Sequence, residues 1–197
     1  MDLGIEGRVA LVLGASSGIG RAVAGTLARE GARVAVASRS EERLGPVVEE
    51  TGGDVTAFAA DTGDLDRMAE LIPEVEGRLG PVEILVLNTG GPPLGMAMDH
   101  SPEEWEAAFR SLVLAPRVLI EAALPGMRER GWGRIANVAS SSIREPIVGL
   151  TLSNANRMAA LGLLNTVARE VAGDGITVNT IATGRFATQR LADNYGS

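Results

Sequence analysis

Short apolar runs alternate with longer amphipathic ones along most of the chain. Residues 9–13, 34–37, 55–60, 84–87, 134–138 and 177–181 are short and mainly apolar or β-branched, which predicts strands. Between them, apolar residues recur at helical spacing. Residues 19–30 predict a helix closed by Gly31, and residues 40–50 a helix weakened by Gly45-Pro46. Residues 65–79 predict a helix bent or split at Pro73. Gly90-Gly91-Pro92-Pro93 opens a loop. Ser101-Pro102-Glu103-Glu104 then predicts a capping box with proline at the first helical position. A long helix follows toward Arg130, with Pro116 and Pro125 as kink points, and residues 152–172 predict the last helix. Strands alternating with helices predict an α/β fold: a doubly wound parallel sheet between two helical layers.

Composition narrows the function. At 197 residues and 45% hydrophobic, without repeats or linkers, the chain reads as one domain spanning 1–197. A net charge of -7 argues against nucleic acid as the main partner. There is no cysteine, and His100 is the single histidine, so no metal site is expected. As a lone loop histidine, His100 reads as solvated polar surface. No signal peptide or membrane-spanning run is apparent, so a cytoplasmic location is expected. All 18 basic residues are arginine, and Tyr195 is the only tyrosine, beside the C-terminus. A Tyr-Lys catalytic pair cannot be assembled from this chain.

The first predicted strand runs into Gly14-Ala15-Ser16-Ser17-Gly18-Ile19-Gly20. Three glycines between strand and helix let backbone amides and the helix N-terminus approach a pyrophosphate, as in Rossmann-type nucleotide-binding domains. The end of the second strand bears on the choice of dinucleotide. An acidic residue there accepts from a ribose 2'-hydroxyl, whereas a guanidinium pairs with a 2'-phosphate. The chain has Ser38-Arg39-Ser40, which favours NADP over NAD. The rival is Glu41, which reads better as the start of the next helix.

The G-x-x-x-G-x-G spacing resembles the short-chain dehydrogenase/reductase family, and the resemblance extends from Gly7 to about Arg190. The overall pattern is close to the family's 3-oxoacyl-[acyl-carrier-protein] reductases. The resemblance implies an adenine-contacting pair at Asp61 and Thr62. It implies a cofactor-binding segment at Asn88, Thr89 and Gly90, and a nicotinamide-framing segment around Gly184 and Thr188. Leu13, Leu87 and Thr183 replace residues usual in the family. The usual catalytic tetrad is Asn, Ser, Tyr and Lys. Its serine matches Ser140, but the other three positions hold Leu112, Ser153 and Arg157. Spacing i, i+4 still puts Ser153 and Arg157 on one helix face. A serine hydroxyl is a far weaker acid than a tyrosine, and arginine does not give up its proton at ordinary pH.

Three readings follow. The first is an NADP-dependent reductase of a small-molecule carbonyl, such as a 3-oxoacyl thioester. Ser140 would orient the carbonyl, Arg157 the cofactor, and Ser153 or water would assist proton transfer. The second is an NADPH-binding sensor without turnover. The third is a structural partner subunit. The helix after Ser101 carries apolar residues around much of its circumference, and equivalent helices form dimer interfaces in the family. A homo-oligomer, dimer or tetramer, is therefore expected. The chain also stops soon after the sixth strand, before the family's seventh strand and C-terminal assembly segment. Either an edge strand is left exposed or the chain is part of a longer one.

Overall fold

A computed structural model describes residues 3–188. Six parallel strands form one sheet: β1 (Val9–Leu13), β2 (Arg33–Ser38), β3 (Val55–Ala59), β4 (Val82–Leu87), β5 (Gly133–Val138) and β6 (Ile176–Ile181). Their order is β3-β2-β1-β4-β5-β6. The connections reverse direction between β1 and β4. That switch point opens a crevice beyond the carboxyl ends of both strands.

Side chains alternate across the sheet, so the apolar strands serve two cores. Val9, Leu11 and Leu13 of β1 join one cluster, with Leu71 and Ile72 of α3 (Leu65–Leu79), Leu119 of α5 (Ala115–Arg130) and Leu164 of α6 (Thr151–Val171). Ala10 and Val12 join the other, with Ala24 of α1 (Gly18–Arg29) and Val47 of α2 (Gly45–Thr51). This is the three-layer arrangement that the apolar pattern predicts. Ile176 of β6 is buried, while Thr177, Asn179 and Ile181 on its opposite face are exposed. Among the described residues β6 is an edge strand.

The prolines differ in what they interrupt. Helix α3 runs unbroken through Pro73, whose ring lies on the exposed face while Met68, Leu71, Ile72, Val75 and Leu79 are buried. Burial of the opposite face holds the helix through the missing hydrogen bond. Gly45-Pro46 interrupts the expected helix of residues 40–50, as the pattern predicts, and Pro46 lies at the start of its α-helical part. Residues Glu42–Leu44 form a 3-10 turn, and α2 begins with Pro46 in its first turn, where a missing N–H costs nothing.

The long helix is continuous from α4 (Pro102–Phe109) to α5, but residues Arg110–Leu114 between them are a π turn. The N–H of Ala115 bonds to the carbonyl of Arg110, one residue further back than in an α-helix. Pro116 follows at once and offers no N–H, so the widened turn lets the helix pass the proline. The capping box forms as predicted, with Glu104 N donating to Ser101 Oγ at 3.3 Å and Ser101 N to Glu104 Oε2 at 3.0 Å.

Candidate cofactor site and active site

The glycine loop lies in the crevice at the switch point. Gly14 has φ +58, and a Cβ there would fall on the backbone oxygen of Asn88. Gly20 is buried, and a Cβ on it would strike Gly14 O and come within 2.6 Å of Asn88 Nδ2. That amide donates to Gly14 O at 3.2 Å. Asn88, at the end of β4, thus pins the loop that follows β1. Gly18 has φ +55, and a Cβ there would lie 3.3 Å from Thr188 Cγ2. Thr188 therefore sits against the loop. Ser17 occupies the N-cap position of α1, yet its hydroxyl makes no cap bond. Ile19 is half-buried and packs toward the second core, and Ser16 is half-buried.

The second group of expected residues lies at the adjoining ends of β2 and β3. Ala60 N donates to Ser38 O at 2.8 Å, which joins the two ends. Ser38 Oγ donates to Ser40 O at 2.8 Å, shaping the turn that presents Arg39. Arg39 is exposed and has no hydrogen-bond or ion-pair partner among the described residues. Glu41 opens the 3-10 turn, accepting from Leu44 N at 2.9 Å through its backbone. Asp61 Oδ1 accepts from Gly63 N at 2.9 Å and so builds the turn after β3, with Thr62 half-buried inside it.

The third group lies at the ends of β4 and β5. Ser153 is buried in the first turn of α6, 8% exposed, and its Oγ accepts from Arg157 Nε at 3.0 Å. The two terminal nitrogens of Arg157 donate to Val138 O and Gly90 O, each at 3.1 Å. Arg157 is thus a brace between α6 and the ends of both strands. Helical spacing alone relates Ser153 to Arg157, whereas the two carbonyls come from segments remote in the chain. Ser140 caps a 3-10 turn, its Oγ accepting from Ser142 N at 3.1 Å. Thr183, where the resemblance implies proline, adds a hydroxyl bond that proline could not make, beside a carbonyl bond that either residue could accept. Its hydroxyl donates to Ala139 O at 2.6 Å, and its carbonyl accepts from Ser141 N at 2.7 Å. The loop after β6 is thereby fastened to the segment carrying Ser140. Gly184 is exposed, and a Cβ on it would meet nothing within 4 Å, so no close packing requires glycine there.

Leu112, expected from the resemblance to hold the position of the tetrad's asparagine, lies in the π turn. It is 3% exposed and packs with Val113, Ala160 and Leu163. His100 corrects the sequence reading outright: its side chain is 3% exposed rather than solvated. Nδ1 faces Glu104 Oε2 at 3.4 Å, and Nε2 is buried without a hydrogen-bond partner. Gly95 lies against the ring, which no local pattern announces. Among the described residues, no cluster of acids and histidine could hold a metal, and no helix is long and apolar enough to cross a membrane.

The loop geometry suits a dinucleotide. Close packing at Gly14 and Gly20 leaves no room for a Cβ, as a loop that would hold a pyrophosphate requires, and Arg39 is accessible beyond the end of β2.

Known proteins agree with this geometry. The family described as short chain dehydrogenase matches residues 8–195. The 3-oxoacyl-[acyl-carrier-protein] reductase of Vibrio harveyi is 32% identical over 186 residues, covering 94% of this chain and 76% of that protein. Dehydrogenase/reductase SDR family member 4 of Homo sapiens is 33% identical over 188 residues, covering 93% of this chain and 68% of that protein. The crystal structure of a metagenomic short-chain oxidoreductase in complex with NADP matches with a TM-score of 0.87 at 31% identity, over 92% of this chain and 84% of that one. Strand order, glycine loop and these matches together make the chain a member of the short-chain dehydrogenase/reductase family.

Proposed function

We propose that the protein is an NADP-dependent oxidoreductase acting on the carbonyl of a small molecule, such as a 3-oxoacyl thioester, through an altered tetrad. The observation that carries this reading is the exposed Arg39 guanidinium at the end of β2, set beside a glycine loop packed for a dinucleotide. The loop from Gly14 to Gly20 and the first turn of α1 bind the pyrophosphate. Ser38 and Arg39 take the 2'-phosphate, Asp61 and Thr62 the adenine, and Asn88, Gly90, Gly184 and Thr188 the nicotinamide half. A bound nicotinamide cofactor supplies the hydride. The name of the Vibrio harveyi relative supports the substrate class.

Ser153 and Ser140 orient the carbonyl. Ser153 Oγ already accepts from Arg157 Nε, so its own proton is free to point at a substrate oxygen. The guanidinium beside it places positive charge near a developing oxyanion. With neither tyrosine nor lysine at these positions, the proton comes from water, and turnover is slow. A second reading, cofactor binding without turnover, is favoured by one observation: Arg157 directs Nε and both terminal nitrogens to groups of its own chain. We also infer a homo-dimer or tetramer through α4 and α6, where Phe109 and Met158 are 43% and 49% exposed.

The test is calorimetric titration with NADPH and with NADH, followed by nicotinamide absorbance in the presence of acetoacetyl-CoA. Tighter NADPH binding with consumption supports the reductase. Tight binding without consumption across a carbonyl panel supports the second reading. Binding of neither cofactor overturns both.

A further inference from the structure

Asn154 directly follows Ser153, and both ends of its amide close on a single residue. Nδ2 donates to Ile147 O at 2.9 Å, and Oδ1 accepts from Ile147 N at 3.3 Å. Its backbone N–H bonds to Leu150 O at 2.8 Å, and Leu150 N donates to Ile147 O at 3.1 Å. The turn before α6 is thus fastened to the helix. That turn holds a second loop. Gly149 O accepts from Gly95 N at 2.9 Å, and Gly95 and Leu150 form a parallel bridge. From below, the His100 ring lies against Gly95: a Cβ there would come within 2.6 Å of Cε1 and 2.7 Å of Nε2. The far end of the loop is closed by Met96 N donating to Asp99 Oδ2 at 3.0 Å.

We propose that Asn154 is a positioning residue, which joins residues 144–150 and 91–99 into one unit and so sets the substrate-side wall of the site. The two loops leave the carboxyl ends of β5 and β4, the strand ends that Arg157 ties to α6. Their outer side chains include Leu94, Met96, Met98 and Val148, which are 44%, 54%, 93% and 83% exposed. The wall therefore meets an apolar part of the substrate. Its place on the substrate side rests on the reductase reading, whereas the coupling of the two loops does not.

The experiment is amide hydrogen exchange by mass spectrometry on the full chain and on Asn154→Ala, Asn154→Asp and His100→Ala. Loss of the Asn154 pair removes two hydrogen bonds, so exchange in both loops is expected to rise roughly tenfold, with residues 14–20 unchanged. Asn154→Asp keeps the acceptor and is expected to fall between. His100→Ala perturbs the unit from its other side and is expected to loosen the same two loops. A rise confined to 144–150 in Asn154→Ala, or to 91–99 in His100→Ala, overturns the coupling. The reductase assay adds a second readout: Asn154→Ala raises KM for acetoacetyl-CoA while kcat and NADPH affinity hold. An unchanged KM overturns the assignment to the substrate wall. If the unaltered protein shows no turnover, the reductase reading fails while the exchange data still decide the coupling.

Discussion

Single residues carry most of the proposed chemistry. Arg39 reaches solvent at the end of β2 and is joined to nothing else among the described residues. Charge-assisted hydrogen bonds to a phosphate make Arg39→Ala cost about 1.5–3 kcal/mol of NADPH binding, with NADH affinity unchanged. Calorimetry with both cofactors reads this directly, and equal losses for the two would remove Arg39 from the 2'-phosphate. Arg157 shows how far a residue's role exceeds its position. Its spacing from Ser153 was legible, because four residues is one helical turn. Its bonds to Val138 O and Gly90 O were not, because those residues lie 19 and 67 positions away. Arg157→Ala is expected to lower stability by about 1–3 kcal/mol through carbonyls left unpaired. Arg157→Lys recovers only part, since a compact ammonium cannot replace a planar fork that reaches three separated acceptors. Urea midpoints of the two variants check this, and equal stability of all three proteins would show that the brace contributes nothing.

At the scale of elements, sequence patterns located the pieces and misjudged their interruptions. Pro73 was expected to bend or split α3; it does not split it, and the burial of Met68, Leu71, Ile72 and Val75 holds that helix together. Pro116 acts in the opposite sense. The turn before it widens to a π turn, and that turn carries Leu112 into an apolar cluster. Replacing Leu112 by the family's asparagine therefore tests what the departure does. Leu112→Asn removes a buried apolar side chain and buries an amide among Val113, Ala160 and Leu163. A loss of about 2–4 kcal/mol is expected, read from thermal or urea unfolding. A neutral substitution would show that the polar position is still accommodated. Thr183 contributes a tie that the sequence does not announce. Its hydroxyl adds a bond to Ala139 O beside the backbone bond from Ser141 N, and so fastens the loop after β6 to the segment of Ser140.

For the whole molecule, the expected dimer makes a measurable claim. Phe109 on α4 and Met158 on α6 are large apolar side chains left 43% and 49% exposed by the single chain. Phe109→Glu is expected to convert the oligomer to monomer by light scattering, with the monomer retaining its far-ultraviolet dichroism. A wild-type monomer at working concentration would discard the interface. The parallel sheet and its two cores were legible throughout, because strands buried on both faces must be nearly all apolar wherever they lie. What the sequence by itself determined is local in character: the alternation of strand and helix, the glycines that let backbones approach, Arg39 after β2, and the absence of any lysine. Those features depend on residue type and near neighbours. Tertiary structure alone decided the rest. It buried the His100 side chain against Gly95, fastened Gly14 to Asn88, tied Gly95 to Gly149, and made Arg157 a brace as well as the partner of Ser153. Each is a hydrogen bond or packing contact between segments that no local periodicity relates, and only the parallel sheet brings their ends together.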